Sequence, residues 1–211
     1  MSAVLNGFRG APWSTRCFLR LRWALTPYRK MILHLPAEGP LLDLGCGHGL
    51  FAFATAESDP RRVVLGIDHD AARIALAQEA GRTLPQLRFE AGDILNPPEG
   101  MHAAVALIDL MHYFTPDDQE RLVRNAFERL RSGGRLILRE VDPEHGPSSL
   151  LNRIYEKFVT TIGFTRTRKE GFHFRTRREW ESLMERCGFR ATSMPLSFFL
   201  FADVLFVGEK P

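Results

Sequence analysis

Leu41-Leu42-Asp43-Leu44-Gly45-Cys46-Gly47-His48-Gly49-Leu50-Phe51 joins a short apolar run to a turn with three glycines at alternate positions. Helix-forming residues continue from Leu50 to Glu57. The pattern reads as a buried parallel strand, a tight loop and a helix start. Glycine is required where a chain turns with positive φ or where a ligand lies against bare backbone. A helix that opens there turns free N–H groups and a positive dipole end toward the loop. The turn is therefore a ligand seat. Two nucleotide-type ligands compete for it. The dinucleotide fingerprint Gly-x-Gly-x-x-Gly/Ala, started at Gly45, puts its third position on Leu50, whose side chain spoils the close helix–strand contact. A phosphate-binding loop is excluded more firmly, because no Lys-Ser/Thr pair follows the glycines.

Working outward, acid-terminated apolar runs recur. Arg62 to Asp68, Leu87 to Asp93 and Ala103 to Asp109 read as three further strands, and Arg135 to Val141 as a fifth. Helical patterns separate them at Asp70–Ala80 and Thr115–Leu130, the second with Thr115 as N-cap, Pro116 in the first turn and Gly133 and Gly134 as its stop. Alternating strands and helices with near-continuous apolar strands imply a parallel α/β sheet buried on both faces. The end of the chain departs from this rhythm. Pro147–Ile162 and Thr176–Cys187 read as helices, and Ala191–Phe199 with Phe201–Gly208 follow too closely for a crossover, so they pair as an antiparallel hairpin.

The observed Asp-x-Gly-x-Gly-x-Gly spacing, Asp43 to Gly49, resembles motif I of the class I S-adenosylmethionine-dependent methyltransferases. The resemblance covers residues 40–211, and the domain that carries it is expected at 38–211. It implies a doubly wound, seven-stranded, mostly parallel sheet of order 3-2-1-4-5-7-6, its last strand pair antiparallel, with helices on both faces. It implies S-adenosylmethionine as cofactor. The matching positions are Asp43, which helps hold the methionyl ammonium, and Gly45, Gly47 and Gly49, which admit the cofactor to the backbone. Asp68, nineteen residues after Gly49, matches the acid that binds the ribose, with His69 beside the adenine. Asp93 matches the acid near the exocyclic amine of adenine, and Ile94 is an apolar wall. A NAD site explains Asp68 but gives no reason for Asp93. Asp109, at the end of the fourth strand, joins this cofactor set.

The acceptor side carries less information. Asp109 to Phe114 lacks the Asn/Asp-Pro-Pro-Tyr/Phe pattern of many amino-group methyltransferases and resembles the Asp-x-x-His-Tyr form of small-molecule oxygen and carbon methyltransferases. His112 is a candidate general base, since its unperturbed pKa lies near neutrality; the blander reading is a polar wall residue. Tyr113, Glu140, Tyr155, Phe172 and His173 are candidate acceptor contacts, the last three within the expected acceptor lid at about 142–178. No metal-ligand spacing occurs among the cysteines Cys17, Cys46 and Cys187, which read as reduced thiols.

The net charge of +3 is unevenly placed. Residues 1–37, expected as a basic helical arm or cap, hold six arginines and lysines and no acid, whereas the remainder has 22 basic against 25 acidic residues. Residues 1–12 read as loosely ordered, and Trp13–Leu35 as a helix interrupted near Pro27. Such a start is compatible with a targeting leader, but its tryptophans and tyrosine favour packing or binding. Residues 9–30 and 166–178 are the segments expected to meet an acidic carrier protein or an anionic membrane surface. With no spanning stretch of about 20 apolar residues, the expected location is the cytoplasm or the periphery of a membrane. The expected function is methyl transfer to a small apolar or aromatic metabolite, with oxygen favoured. RNA or protein methylation and a non-catalytic cofactor-binding relative are the alternatives; the slightly acidic core disfavours nucleic acid.

Overall fold

The computed structural model describes residues 3–144, 172–196 and 203–211. Seven strands form one sheet: β1 (Leu41–Leu44), β2 (Val64–Asp68), β3 (Leu87–Ala91), β4 (His102–Ile108), β5 (Leu130–Val141), β6 (Arg190–Pro195) and β7 (Asp203–Glu209). Their order is β3-β2-β1-β4-β5-β7-β6. Strands β1 to β5 are parallel, and β7 runs antiparallel to both β5 and β6. Strand β1 is at the centre, with Leu41 registered to Val64 on one side and Ala104 on the other. All four of its residues are buried, as a strand covered on both faces requires. Edge strand β3 instead buries Leu87 and Phe89 and exposes Arg88 and Glu90.

One face of the sheet packs under α4 (Leu50–Ser58), α5 (Ala71–Gly81) and three arm helices, α1 (Ala3–Gly7), α2 (Trp13–Leu25) and α3 (Tyr28–Ile32). The other face packs under α6 (Pro116–Glu128) and α7 (Arg177–Arg186), with Leu122, Trp180 and Leu183 in its core. The helix starts follow local chemistry. The Asp70 carboxylate accepts from the N–H groups of Ala72 and Arg73, and Thr115 Oγ1 accepts from that of Asp118. Thr176 and Glu179 form a reciprocal capping box on α7.

Two boundaries differ from the sequence expectation. Gly133 and Gly134 do not lie beyond a helix that reaches Leu130. Helix α6 ends at Glu128, and β5 is already paired at Leu130, opposite His102, with a register shift before Arg135. The glycines sit in this irregularity, where Gly133 N–H donates to Lys210 O and Lys210 N–H to Gly134 O. The Lys210 ammonium donates to the carbonyls of Phe127 and Leu130, neutralising the exposed end of α6. The second correction is residues 3–12, expected to be loosely ordered. Val4, Phe8 and Ala11 are buried, and Phe8 meets Phe53 edge-on at 5.6 Å between centroids. Val4 lies on α1 and Phe8 and Ala11 in the turn that follows it, a packing masked in the sequence by Gly7, Gly10 and Pro12. Gly7 permits the close approach, because a Cβ there would lie 2.9 Å from Ala80 O on α5.

The arm is thus part of the core. Phe8→Ala is expected to cost about 3 kcal/mol of unfolding free energy, as truncation of a buried phenylalanine does. Denaturant unfolding measures it; a loss below about 1 kcal/mol would mean that α1 is not part of the cooperative unit.

Candidate functional site

A cavity of about 340 Å³ opens at the carboxyl ends of β1, β2 and β4, where the strand order reverses. That crevice is the binding position of open α/β sheets. Its floor is the glycine turn. Gly45, Gly47 and Gly49 all have positive φ, between +56° and +74°, and Gly49 caps α4 in the left-handed conformation. A Cβ built on Gly47 would meet no protein atom within 4 Å, so this bare backbone faces open space. A Cβ on Gly49 would collide with Phe89 at 2.5 Å. Gly45 and Gly47 line the cavity, whereas Gly49 turns the chain beside the core.

The acids converge as the topology directs. Asp68 is buried at the end of β2, with Oδ2 accepting from Gly47 N–H at 2.8 Å and Oδ1 from Asp70 N–H at 2.9 Å. It therefore shapes the turn, with His69 Nδ1 also 3.3 Å from Oδ1, while Oδ2 keeps a second lone pair for a ligand hydroxyl. Asp93 accepts from Leu95 N–H at 2.9 Å and from the Asn96 side-chain amide at 2.6 Å. Asp43 is buried within β1, and its Oδ2 has no hydrogen-bond partner among the described residues. Burial, with the Asp68 carboxylate adding to it, pushes the Asp43 carboxyl up to about 7. An unsatisfied carboxylate oxygen facing a ligand cavity is a seat for a cation. His69, Ile94 and Asp109 also line this cavity.

The roof comes from the arm. Phe18, Leu19 and Arg22 of α2 and Tyr28 of α3 face the cavity, opposite Ile108, Leu110, Tyr113 and Phe114. Arg22 Nη2 donates to Asp109 Oδ2 at 2.5 Å. Arg139 on β5 donates to the same Asp109 oxygen and, through Nη2, to Asp203 Oδ2 at 2.5 Å. Two cations and two anions alternate, from the arm to β7. Burial opposes the Arg139 charge, but the Asp109 and Asp203 carboxylates outweigh it and hold its pKa above the ordinary value. Asp109 itself has φ +55°, the one non-glycine residue of the described chain with positive φ. Such a conformation costs energy in a non-glycine residue and persists when its surroundings fix it; the two guanidinium groups and the Asp109 N–H to Arg139 O bond do so. Burial raises the Tyr28 pKa, so its hydroxyl stays protonated. Burial lowers His48 to about 4, with Arg73 adding to the effect, so its imidazole is neutral. The Cys46 thiol is raised well above its usual value, first by burial and then by Asp43 and Asp68.

Four expected acceptor-side residues fall elsewhere. His112 does not line the cavity. Its ring is buried, Nδ1 lies 2.8 Å from Glu140 Oε2, and Phe174 stacks on it at 5.4 Å. Glu140 is buried behind the same wall, accepting from Met111 N–H at 2.7 Å. The sequence placed both at strand ends; the 3-10 turn at Met111–Tyr113 rolls His112 inward and leaves Tyr113 outward. Phe172 packs against His112 and Tyr113, and His173 N–H donates to His112 O, so these two brace the wall. Tyr155 and the expected lid helix at Pro147–Ile162 lie outside the described residues. Sequence reasoning missed Arg22, Tyr28, Arg139 and Asp203 as a group. Only the absence of acids from residues 1–37 hinted that an arm cation has its partner in the domain.

These residues fit S-adenosylmethionine at each of its polar ends. Asp68 suits the ribose hydroxyls, Asp93 and Ile94 the adenine, Asp43 the ammonium and Arg22 the carboxylate. A family model described as a methyltransferase domain matches residues 41–134. Trans-aconitate 2-methyltransferase of Deinococcus radiodurans is 35% identical over 128 residues, 60% of this chain and 48% of that protein. The protein of that name from Variovorax paradoxus is 34% identical over 125 residues, 56% of this chain and 45% of its own. The chain thus spans about half the length of these curated relatives. A solved methyltransferase from Thermotoga maritima, described as a possible histamine N-methyltransferase, superposes with TM-score 0.67 at 22% identity and 94% coverage of both chains. That likeness is one of fold.

The raised Asp43 carboxyl has a consequence for pH. A cation beside it favours the ionised form, so an ammonium-bearing ligand displaces a proton below about pH 7. Affinity for S-adenosylhomocysteine is expected to rise with pH up to about 7 and then level. Calorimetry in buffers of different ionisation heat should detect the released proton, and Asp43→Asn should abolish it. The same shift acts oppositely on the free protein. The unfolded carboxyl, with an ordinary value of 3.8, releases its proton first, so the Asp43 contribution to stability falls as pH rises from about 4 to about 7.

Proposed function

We propose that the chain, whose residues 41–134 match a methyltransferase-domain model, is a class I S-adenosylmethionine-dependent methyltransferase that methylates a small apolar or aromatic molecule, with oxygen the favoured atom. The observation that carries this reading is the lining of the one crevice. Acids and bare glycine backbone suited to the cofactor share it with Phe18, Leu19, Tyr113 and Phe114, which suit an apolar acceptor. The names of the curated relatives, which specify trans-aconitate, support a small molecule as acceptor. The stretch from Ile108 to Phe114 has no planar-nitrogen motif of the kind that grips a nucleobase or amide.

When bound, S-adenosylmethionine supplies a methyl group on a sulfonium, already activated for displacement. What the chain must add is alignment, the term with the largest leverage on a reaction between two bound partners. Asp68 and the glycine turn fix one end of the crevice, and Asp43 and Arg22 fix the other. Helix α2 covers the opening and excludes water. The ion pairs of Arg22 and Arg139 to Asp109 hold that cover onto the sheet. Three candidates for an acceptor base are not poised for it: the His48 imidazole lies at about 4, Tyr28 is raised, and His112 is turned away; Asp43, at about 7, lies at the end of the crevice assigned to the cofactor ammonium. Acceptors that are already nucleophilic at neutral pH, such as carboxylates and acidic phenols, are therefore favoured over aliphatic alcohols.

The test is release of S-adenosylhomocysteine in the presence of trans-aconitate, aromatic acids, phenols and an aliphatic alcohol, with products identified by mass. Turnover on acids or phenols, and none on the aliphatic alcohol, is expected. Turnover only on RNA or protein would overturn the reading. With an acceptor in hand, His112→Gln should lower kcat by less than about tenfold and leave the pH profile unmoved. A true general base contributes roughly a hundredfold or more.

A further inference from the structure

The described residues leave five large apolar side chains exposed, and three of them belong to the arm: Trp13 at 75%, Leu21 at 49% and Leu33 at 81%. Each residue of a helix advances about 100°, so Trp13, Cys17, Arg20, Leu21 and Ala24 of α2 fall within one sector of roughly 100°. Trp13, Arg20, Leu21 and Ala24 are exposed, and Cys17 is half-buried. The opposite side of the same helix holds Leu19, which is buried, and Arg22, which faces the cavity. Helix α2 is therefore two-sided: its inner face roofs the site and its outer face turns an apolar stripe to solvent.

Charge indicates what would cover that stripe. Arg9, Arg20, Arg29 and Lys30 are exposed, and residues 1–37 contain no acid. An indole on an exposed helix face among arginines suits the boundary between lipid headgroups and acyl chains, where an amphipathic ring is best solvated. At 13 residues, α2 is about 20 Å long, too short to cross a bilayer but long enough to lie on one. Among the described residues no helix is long and apolar enough to span a membrane.

We propose that the outer face of α2 docks on an anionic phospholipid surface, with Trp13 and Leu21 entering the headgroup boundary and Arg9, Arg20, Arg29 and Lys30 meeting the phosphates. Docking sets the roof of the crevice against the lipid, where apolar acceptors concentrate. The docking itself stands apart from the methyl-transfer reading, since it depends only on the outer face.

The experiment is flotation of the full chain with vesicles of phosphatidylglycerol and phosphatidylcholine, against phosphatidylcholine alone. The chain is expected to float with the anionic vesicles only, to release as salt rises, and to show a blue shift in tryptophan emission that Trp13→Phe removes. Each basic residue at such a surface contributes roughly fivefold in partitioning, so Arg20→Glu should weaken binding by at least that factor. Trp13→Ser with Leu21→Ser should weaken it roughly tenfold or more, with circular dichroism and S-adenosylhomocysteine affinity unchanged. Failure of the wild-type chain to float with anionic vesicles would overturn the proposal. So would equal flotation of the double variant, or capture of an acidic acyl carrier protein through this face with vesicles ignored.

Discussion

The arrangement depends on one chain of charges, buried except at its half-buried Arg22 end, from Arg22 to Asp109 to Arg139 to Asp203. It links an arm helix, the end of β4, the end of β5 and the start of β7. Taking four charged groups out of water is costly, and the cost is met only if every charge keeps a partner. Loss of one member would leave its neighbour buried and uncompensated. The network therefore specifies geometry more than it adds stability. It fixes where the arm lies, it holds Asp109 in a left-handed conformation, and it closes the crevice above the glycine turn.

A second constraint acts from below. Asp68 bonds the Gly47 N–H and the Asp70 N–H, tying the glycine turn to the start of α5. The same carboxylate sits close enough to Asp43 to raise its pKa. Two acids at the ends of adjacent strands repel one another when the crevice holds no cation. A ligand with hydroxyls for one and an ammonium for the other relieves both. The free site is thus poised for a zwitterionic nucleoside, and the aromatic and apolar roof shields the interaction from water.

The sequence made the central sheet legible because its signals are local and periodic. The apolar run Leu41–Leu44 before the glycine turn and the runs ending in Asp68, Asp93 and Asp109 predict parallel strands and the crevice at their carboxyl ends, and Thr115 and Thr176 announce their helices through their own side chains. The close spacing of β6 and β7 was enough to predict their antiparallel pairing. What stayed hidden depends on contacts between distant residues. Arg22 and Asp109 are 87 positions apart, and nothing near either identifies its partner. His112 and Glu140 each sit where a strand end could face the crevice; a single 3-10 turn decides that they face one another instead. Phe8 reads as loop sequence because it does sit in a turn, just past the five-residue α1 and among glycine and proline, and only its contact with Phe53 buries it.

The central claim is that the glycine turn with its acids holds S-adenosylmethionine. Titration of the purified chain with S-adenosylhomocysteine by calorimetry, with NAD as control and Asp68→Ala alongside, tests it most directly. The account predicts micromolar binding, silence from NAD, and an affinity loss of roughly a hundredfold in the variant, consistent with removal of hydrogen bonds to a charged group. No heat from S-adenosylhomocysteine, or a preference for NAD, would contradict it and return the turn to the dinucleotide reading.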